Sequence, residues 1–189
     1  MRSAARRVLP LLLLPVIAVI LGAGCAGALP VASLSSLPSF VTRDGTVRYR
    51  VPAGWFDATA DSGAIPRIVF LVRGDYAGSI AMRELHVDAA ARRDLARTGV
   101  LQIARLAAAL ETGSGRGMIA RAPQSIRVNG REGAMYDLAF GGRERVRTVL
   151  VDTGARIYSI AALVEGTAAE DAAEEIFAAQ QAFLQALAL

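Results

Sequence analysis

The chain contains no lysine, and only one cysteine, one histidine and one tryptophan in 189 residues. Each scarcity excludes something. With Cys25 alone, neither an intrachain disulfide framework nor a thiolate zinc cluster can form, so the folded part stands on packing. His86 has Glu84 and Asp88 two residues to either side, but one histidine without a thiol does not make a usual transition-metal site. It reads as an exposed strand residue rather than a general base. No Gly-x-Ser-x-Gly occurs, which removes a hydrolase nucleophile elbow. The glycine-rich stretch Gly113-Ser114-Gly115-Arg116-Gly117 lacks the Gly-Lys-Ser/Thr ending of a phosphate loop. It also follows a helix instead of opening one, so it reads as a connector. No catalytic, cofactor-binding or metal-binding residue is assigned, no cofactor is implied, and a hydrolytic enzyme is the least favoured reading.

Charge is also less one-sided than it looks. The formal net charge is +4, but Arg2, Arg6 and Arg7 precede an apolar run. Without them 18 arginines face 17 acidic residues, so nucleic acid is not implied as a partner.

What is present begins with an address. Positive Arg2, Arg6 and Arg7 lead into Val8–Leu21, and Gly22-Ala23-Gly24 stands directly before Cys25. A basic head, an apolar middle and a small-residue cleavage site make an export signal. Three fates fit it. Leu21-Gly22-Ala23-Gly24-Cys25 is similar to a bacterial lipoprotein signal, with the large residue one position further upstream than those signals place it. Acyl chains on Cys25 would then hold the chain at a membrane, each buried methylene contributing about 0.8 kcal/mol. Alternatively, Ala26-Gly27-Ala28 fits ordinary cleavage, leaving Leu29 first and the protein soluble in the periplasm or outside the cell. Third, the uncharged stretch from Val8 to Thr42 is long enough to remain as an anchor, though Pro10 and Pro15 oppose a stable helix. The leading reading takes residues 1–24 as a signal peptide, 25–41 as a lipid-anchored flexible tether rich in Ala, Ser, Leu and Pro, and 42–189 as one domain. About 160 residues after the signal suffice for a single core.

Within that domain the pattern is mixed. Val47, Tyr49 and Val51 alternate with arginines, and Pro52-Ala53-Gly54 ends that strand before Trp55. Trp55 reads chiefly as a core anchor, with a pocket-lining role as the other reading. Ile68–Val72 is a continuous apolar run, expected to be a central strand buried on both faces. Ser79–Val87 alternates. A helix is expected from about Ala89 to Leu110, capped by Asp88, with Leu95, Ile103, Leu106 and Leu110 on its core stripe. Four strands follow, separated by Asn129-Gly130, Gly141-Gly142 and Thr153-Gly154, as in an antiparallel meander. Thr167-Ala168-Ala169-Glu170 reads as a capping box before a last helix whose stripe is Ile176, Phe177, Gln180, Phe183, Leu184 and Leu187. The expected class is α+β: an antiparallel sheet of six or seven strands, ordered β-β-β-α-β-β-β-β-α, covered by two amphipathic helices.

Three local words carry a resemblance: Val51-Pro52-Ala53-Gly54-Trp55, then Val128-Asn129-Gly130-Arg131-Glu132-Gly133-Ala134, then Arg156-Ile157-Tyr158-Ser159-Ile160. In this order they resemble the PsbP-like fold family, in particular its bacterial lipoprotein branch, from about Thr42 to Leu189. The resemblance implies a non-enzymatic binder or assembly factor and carries no catalytic motif. Arg143, Arg145 and Arg147 are the candidate interaction surface, a positive stripe that would meet an acidic partner or anionic lipid, or else a solvated strand face. The sequence thus supports a cell-envelope lipoprotein, on the outer membrane or the outer face of the plasma membrane, that docks an envelope protein. A carrier of a small apolar or lipidic ligand is the alternative. Intact-mass spectrometry of the protein from its native membrane should give an N-terminal Cys25 bearing an acyl mass. A chain starting at Leu29, or uncut at Met1, would select one of the other two fates.

Overall fold

The computed structural model describes residues 37–61, 68–113, 115, 117–169 and 171–189. The signal, Cys25 and the tether up to residue 36 lie outside the described residues.

Among the described residues, nine strands and three α-helices follow one another. β1 (Ser39–Val41) and β2 (Arg48–Arg50) make a small antiparallel pair. β1 lies just upstream of Thr42, where the sequence placed the start of the domain. The main sheet contains β3 (Trp55–Asp57), β4 (Val69–Arg73), β5 (Gly78–Leu85), β6 (Gly117–Val128), β7 (Arg131–Phe140), β8 (Arg145–Asp152) and β9 (Ile157–Val164). All its pairings are antiparallel, in the order β3-β4-β5-β9-β8-β7-β6. α1 (Ala89–Thr98) and α2 (Val100–Gly113) connect β5 to β6, and α3 (Ala172–Ala186) ends the chain. The α+β class, the long antiparallel sheet and the flanking helices are as expected.

The strand period of two divides the apolar residues between two cores. Val149 and Val151 face α3, where they meet Ile160, Ile176 and Phe183. Leu150, between them, faces α1 and α2 together with Tyr136, Leu138 and Ile157. Each fully buried aliphatic side chain contributes about 1.5–3 kcal/mol. The α3 stripe is the one the sequence indicated: Ile176, Phe177, Gln180, Phe183, Leu184 and Leu187 are all buried.

Four expectations are corrected. The strands buried on both faces are β9 and β8, fourth and fifth in the sheet, not Val69–Val72. β4 stands next to the sheet edge; Val69 and Leu71 face the α3 core, while Phe70 and Val72 are only half-buried because α2 packs on β6, β7 and β8 instead. Next, the expected long helix is two. Gly99 breaks it with φ 74 and ψ 165, donating its N–H to the Leu95 carbonyl. The break re-aims the second half. Val100, Ala104 and Ala108 now meet the sheet, and Leu106 and Leu110 point outward. Finally, α3 starts with Asp171 as N-cap and Ala172 as its first residue, so Thr167 lies upstream of the cap position; Glu170 is outside the described residues. Asp88 does cap α1, accepting from the Ala91 N–H at 2.7 Å.

The Asn129-Gly130 turn is what the sequence called for. Both residues have positive φ, 49 and 80, as a type I′ hairpin requires. Asn129 does more than turn the chain: its Nδ2 donates to the carbonyls of Leu184 and Leu187 at 2.9 and 2.7 Å. Those carbonyls end α3, where Leu184 also accepts from the Leu187 N–H at 3.3 Å, so the hairpin side chain completes the cap of the helix.

Gly99→Ala tests the broken helix. Its φ and ψ belong to a region that essentially only glycine occupies, and such residues cost about 1–3 kcal/mol. An added Cβ would meet Oε1 of Glu132 at 2.9 Å, the end of a flexible side chain, so backbone strain decides. Urea unfolding should show a loss of that size; an unchanged midpoint would place the break elsewhere.

Candidate functional site

α3 is narrower than the sheet it covers. Beyond its flank the α3-facing side of β6, β7 and β8 is left as the floor of a groove of about 360 Å³. Ile126, Val128, Met135 and Val149 form the floor, and Phe177, Leu184, Gln181 and Gln185 of α3 form the wall. Apolar lining with a few polar groups is the ordinary make-up of a ligand site.

One end of the groove is charged. Asp137 and Arg147 are cross-strand partners on β7 and β8. Nε of Arg147 donates to Oδ1 of Asp137 and Nη2 donates to Oδ2, both at 2.9 Å. Asp137 is buried, and the Arg147 side chain is 17% exposed, its guanidinium lying 4.0 Å from the Phe177 ring centroid. Arg121 of β6 reaches the same carboxylate, with Nε 3.4 Å from Oδ2, while remaining 47% exposed. It comes within reach because β6 departs from regular register between Ile119 and Gln124. Gln180 holds the arrangement from α3, its Nε2 donating to the carbonyls of Arg147 and Ile160 at 3.1 and 2.9 Å.

The three candidate arginines are therefore not equivalent. Arg145 is exposed. Arg143 donates from Nη1 to the Ala168 carbonyl at 3.5 Å. Arg147 is folded under α3 and paired, so it does not stand on a solvated stripe. Cys25 lies outside the described residues. His86 is exposed just past the end of β5, with Glu84 taken up by Arg156 at 3.5 Å and Asp88 by the cap of α1. Trp55 is half-buried against the α3 core from the edge strand β3.

Several groups have shifted ionisation, each from local bonding. Burial, with the Glu111 carboxylate adding, pushes Tyr136 up to about 12. Burial and then the bond to Asp57 raise Tyr49. For Asp57 burial acts upward, but bonds from Thr59 and Tyr49 outweigh it and hold the carboxyl low. Bonds from the Thr42 and Thr46 hydroxyls hold Asp44 well below the carboxylate range. None of these groups is moved toward neutrality, where general acid–base work needs it. Among the described residues no three His, Cys, Asp or Glu side chains are grouped to hold a metal ion.

A second feature lies on the opposite face. Leu106 and Leu110 on the outward side of α2 are 55% and 78% exposed, and Ile119 on the edge strand β6, the cross-strand partner of Leu138 on the same face, is 46% exposed. Neither this face nor the Arg121–Asp137–Arg147 group is apparent from spacing alone. The one usable signal is Asp137, an acid set between Tyr136 and Leu138 in the apolar stretch Gly133–Phe140 of β7.

No protein-family model matches the sequence, and no curated protein does. Solved structures do. The PsbP protein of the cyanobacterium Synechocystis sp. PCC 6803 superposes with a TM-score of 0.57 at 12% identity, covering 88% of this chain and 99% of its own. The Ran-binding protein Mog1p of Saccharomyces cerevisiae gives 0.52 at 13% identity, covering 81% and 96%. The chain has the PsbP-like fold; at these identities the likeness concerns the fold alone.

Removing one partner of a nearly buried ion pair strands the other charge, at a cost of about 3–5 kcal/mol. Asp137→Ala is expected to destabilise the protein by that order in urea unfolding. Adding Arg147→Met should recover most of the loss, because the stranded charge goes with it. Equal destabilisation in the single and double variants would show that packing, not charge, decides.

Proposed function

We propose that the chain is an exported cell-envelope lipoprotein, held at a membrane through acylated Cys25, whose PsbP-like domain works without catalysis by docking an envelope protein. The observation that carries this reading is the outward face of α2. A helix apolar on both sides is normally buried on both. Here one side packs on β6 and β7 through Ala104 and Ala108, and the other presents Leu106 and Leu110 beside exposed Ile119. Apolar clusters of this kind mark interaction sites. The fold supports the reading by precedent, since Mog1p is a Ran-binding protein. The lipid anchor rests on the sequence of the signal; no helix among the described residues is long and apolar enough to cross a membrane.

The groove beside α3 favours a second reading, a carrier for a small apolar or lipidic ligand.

A photo-crosslinking residue at position 110 of the full-length protein, expressed in its own cells, tests the docking face. One discrete protein adduct is expected, weakened several-fold by Leu106→Ser and absent when the crosslinker replaces Ala53 beside the opposite edge of the sheet. The same adduct from both positions, or none from position 110, would refute the face.

A further inference from the structure

The charge balance at the end of the groove identifies what the groove takes, if the carrier reading holds. Two guanidiniums, those of Arg121 and Arg147, share a single carboxylate, Asp137. Among the described residues no other carboxylate is paired with either. Both oxygens of Asp137 are already engaged by Arg147 at 2.9 Å, in the bidentate geometry that gives the strongest pairs. Arg121 is left with one contact at 3.4 Å and with nearly half its side chain in solvent. One positive charge, that of Arg121, is therefore in excess on the floor side at the rim of the groove; Arg127 also borders the groove, but it alternates to the other face of β6 from Ile126 and Val128 and donates from Nη1 to the Gly130 carbonyl at 3.3 Å.

We infer that this groove binds a long-chain carboxylate, with Arg121 receiving the head and the floor of Ile126, Val128, Met135 and Val149 receiving the acyl chain. A monoanion balances the excess; a dianionic phosphate would overshoot it. An extended peptide suits the floor poorly. Met135 and Val149 sit on β7 and β8, each flanked by a strand on both sides, so the backbone under the middle of the floor is engaged in the ladder. A peptide's own N–H and C=O groups would then be buried with few partners. An acyl chain has no such groups. Arg147 is not the head receptor: Asp137 and Phe177 fix it. It positions the carboxylate that sets the local charge.

The test uses the anchored protein in nanodiscs of neutral phosphatidylcholine, with two photoreactive probes: a diazirine-bearing palmitate and its methyl ester. After irradiation, adducts are mapped by mass spectrometry. The acid is expected to label β6, β7, β8 and α3 at the groove, to be displaced by excess palmitate, and to outdo the ester by about tenfold. Arg121→Gln, at an exposed position that leaves the fold intact, should remove that tenfold preference and leave labelling by the ester unchanged. Gln181→Trp, on the exposed wall, should reduce labelling by both probes. If acid and ester label the groove equally, or if Arg121→Gln leaves their ratio unchanged, the carboxylate assignment falls and the carrier reading stands. If neither probe labels the groove, both fall together.

Discussion

A strand that places apolar side chains on both of its faces has to be covered twice. β9 is such a strand: Ile157, Tyr158, Ser159 and Ile160 are buried in succession. β8 beside it is another, with Thr148 to Val151 buried in succession. β5 and β8 shield the two edges of β9, α3 covers one face and α1 with α2 the other. The sheet thus carries two cores that share no side chains, and helices on each side are a requirement rather than an ornament of the topology.

The two covers meet the constraint differently. α3 brings large residues, Ile176, Phe177 and Phe183, and is locked by Asn129 from the hairpin and by Arg131, whose Nη2 donates to the terminal Leu189 carbonyl at 2.7 Å. α2 brings alanines, Ala104 and Ala108, which let the helix sit close to the sheet and turn its leucines outward. Both surfaces of interest follow from this. α3 is held so firmly in place that the sheet beyond it stays open as a groove. α2 sits so close that Leu106 and Leu110 have nothing left to cover.

Much of the plan is legible in the chain. Asn129-Gly130 specifies a tight hairpin because both positions need positive φ, and the periodicity of Ile176, Gln180, Phe183 and Leu187 marks the buried stripe of α3. The misreadings have local causes. Leu95 and Leu106 lie on one stripe only if Gly99 is helical, and its φ and ψ end the helix there. The run from Val69 to Val72 looks doubly buried because apolar content does not say whether a helix lies above the strand. The alternation of Arg143, Arg145 and Arg147 does not show that Arg147 is paired while Arg145 is exposed, because Arg147 finds its acid ten residues earlier in the chain, on the neighbouring strand.

Sequence by itself determined the basic-then-apolar pattern that ends at the single cysteine, the absence of a thiol or histidine cluster, the antiparallel class and the faces of α3, because these depend on composition or on periods of two and 3.6 residues. Tertiary structure alone decided which strand lies at the centre, which way α2 faces, and that Arg121, Asp137 and Arg147 meet beside an apolar groove. Those outcomes depend on strand order, on one backbone angle at Gly99 and on a register shift in β6, and none of the three has a period that a linear pattern can show.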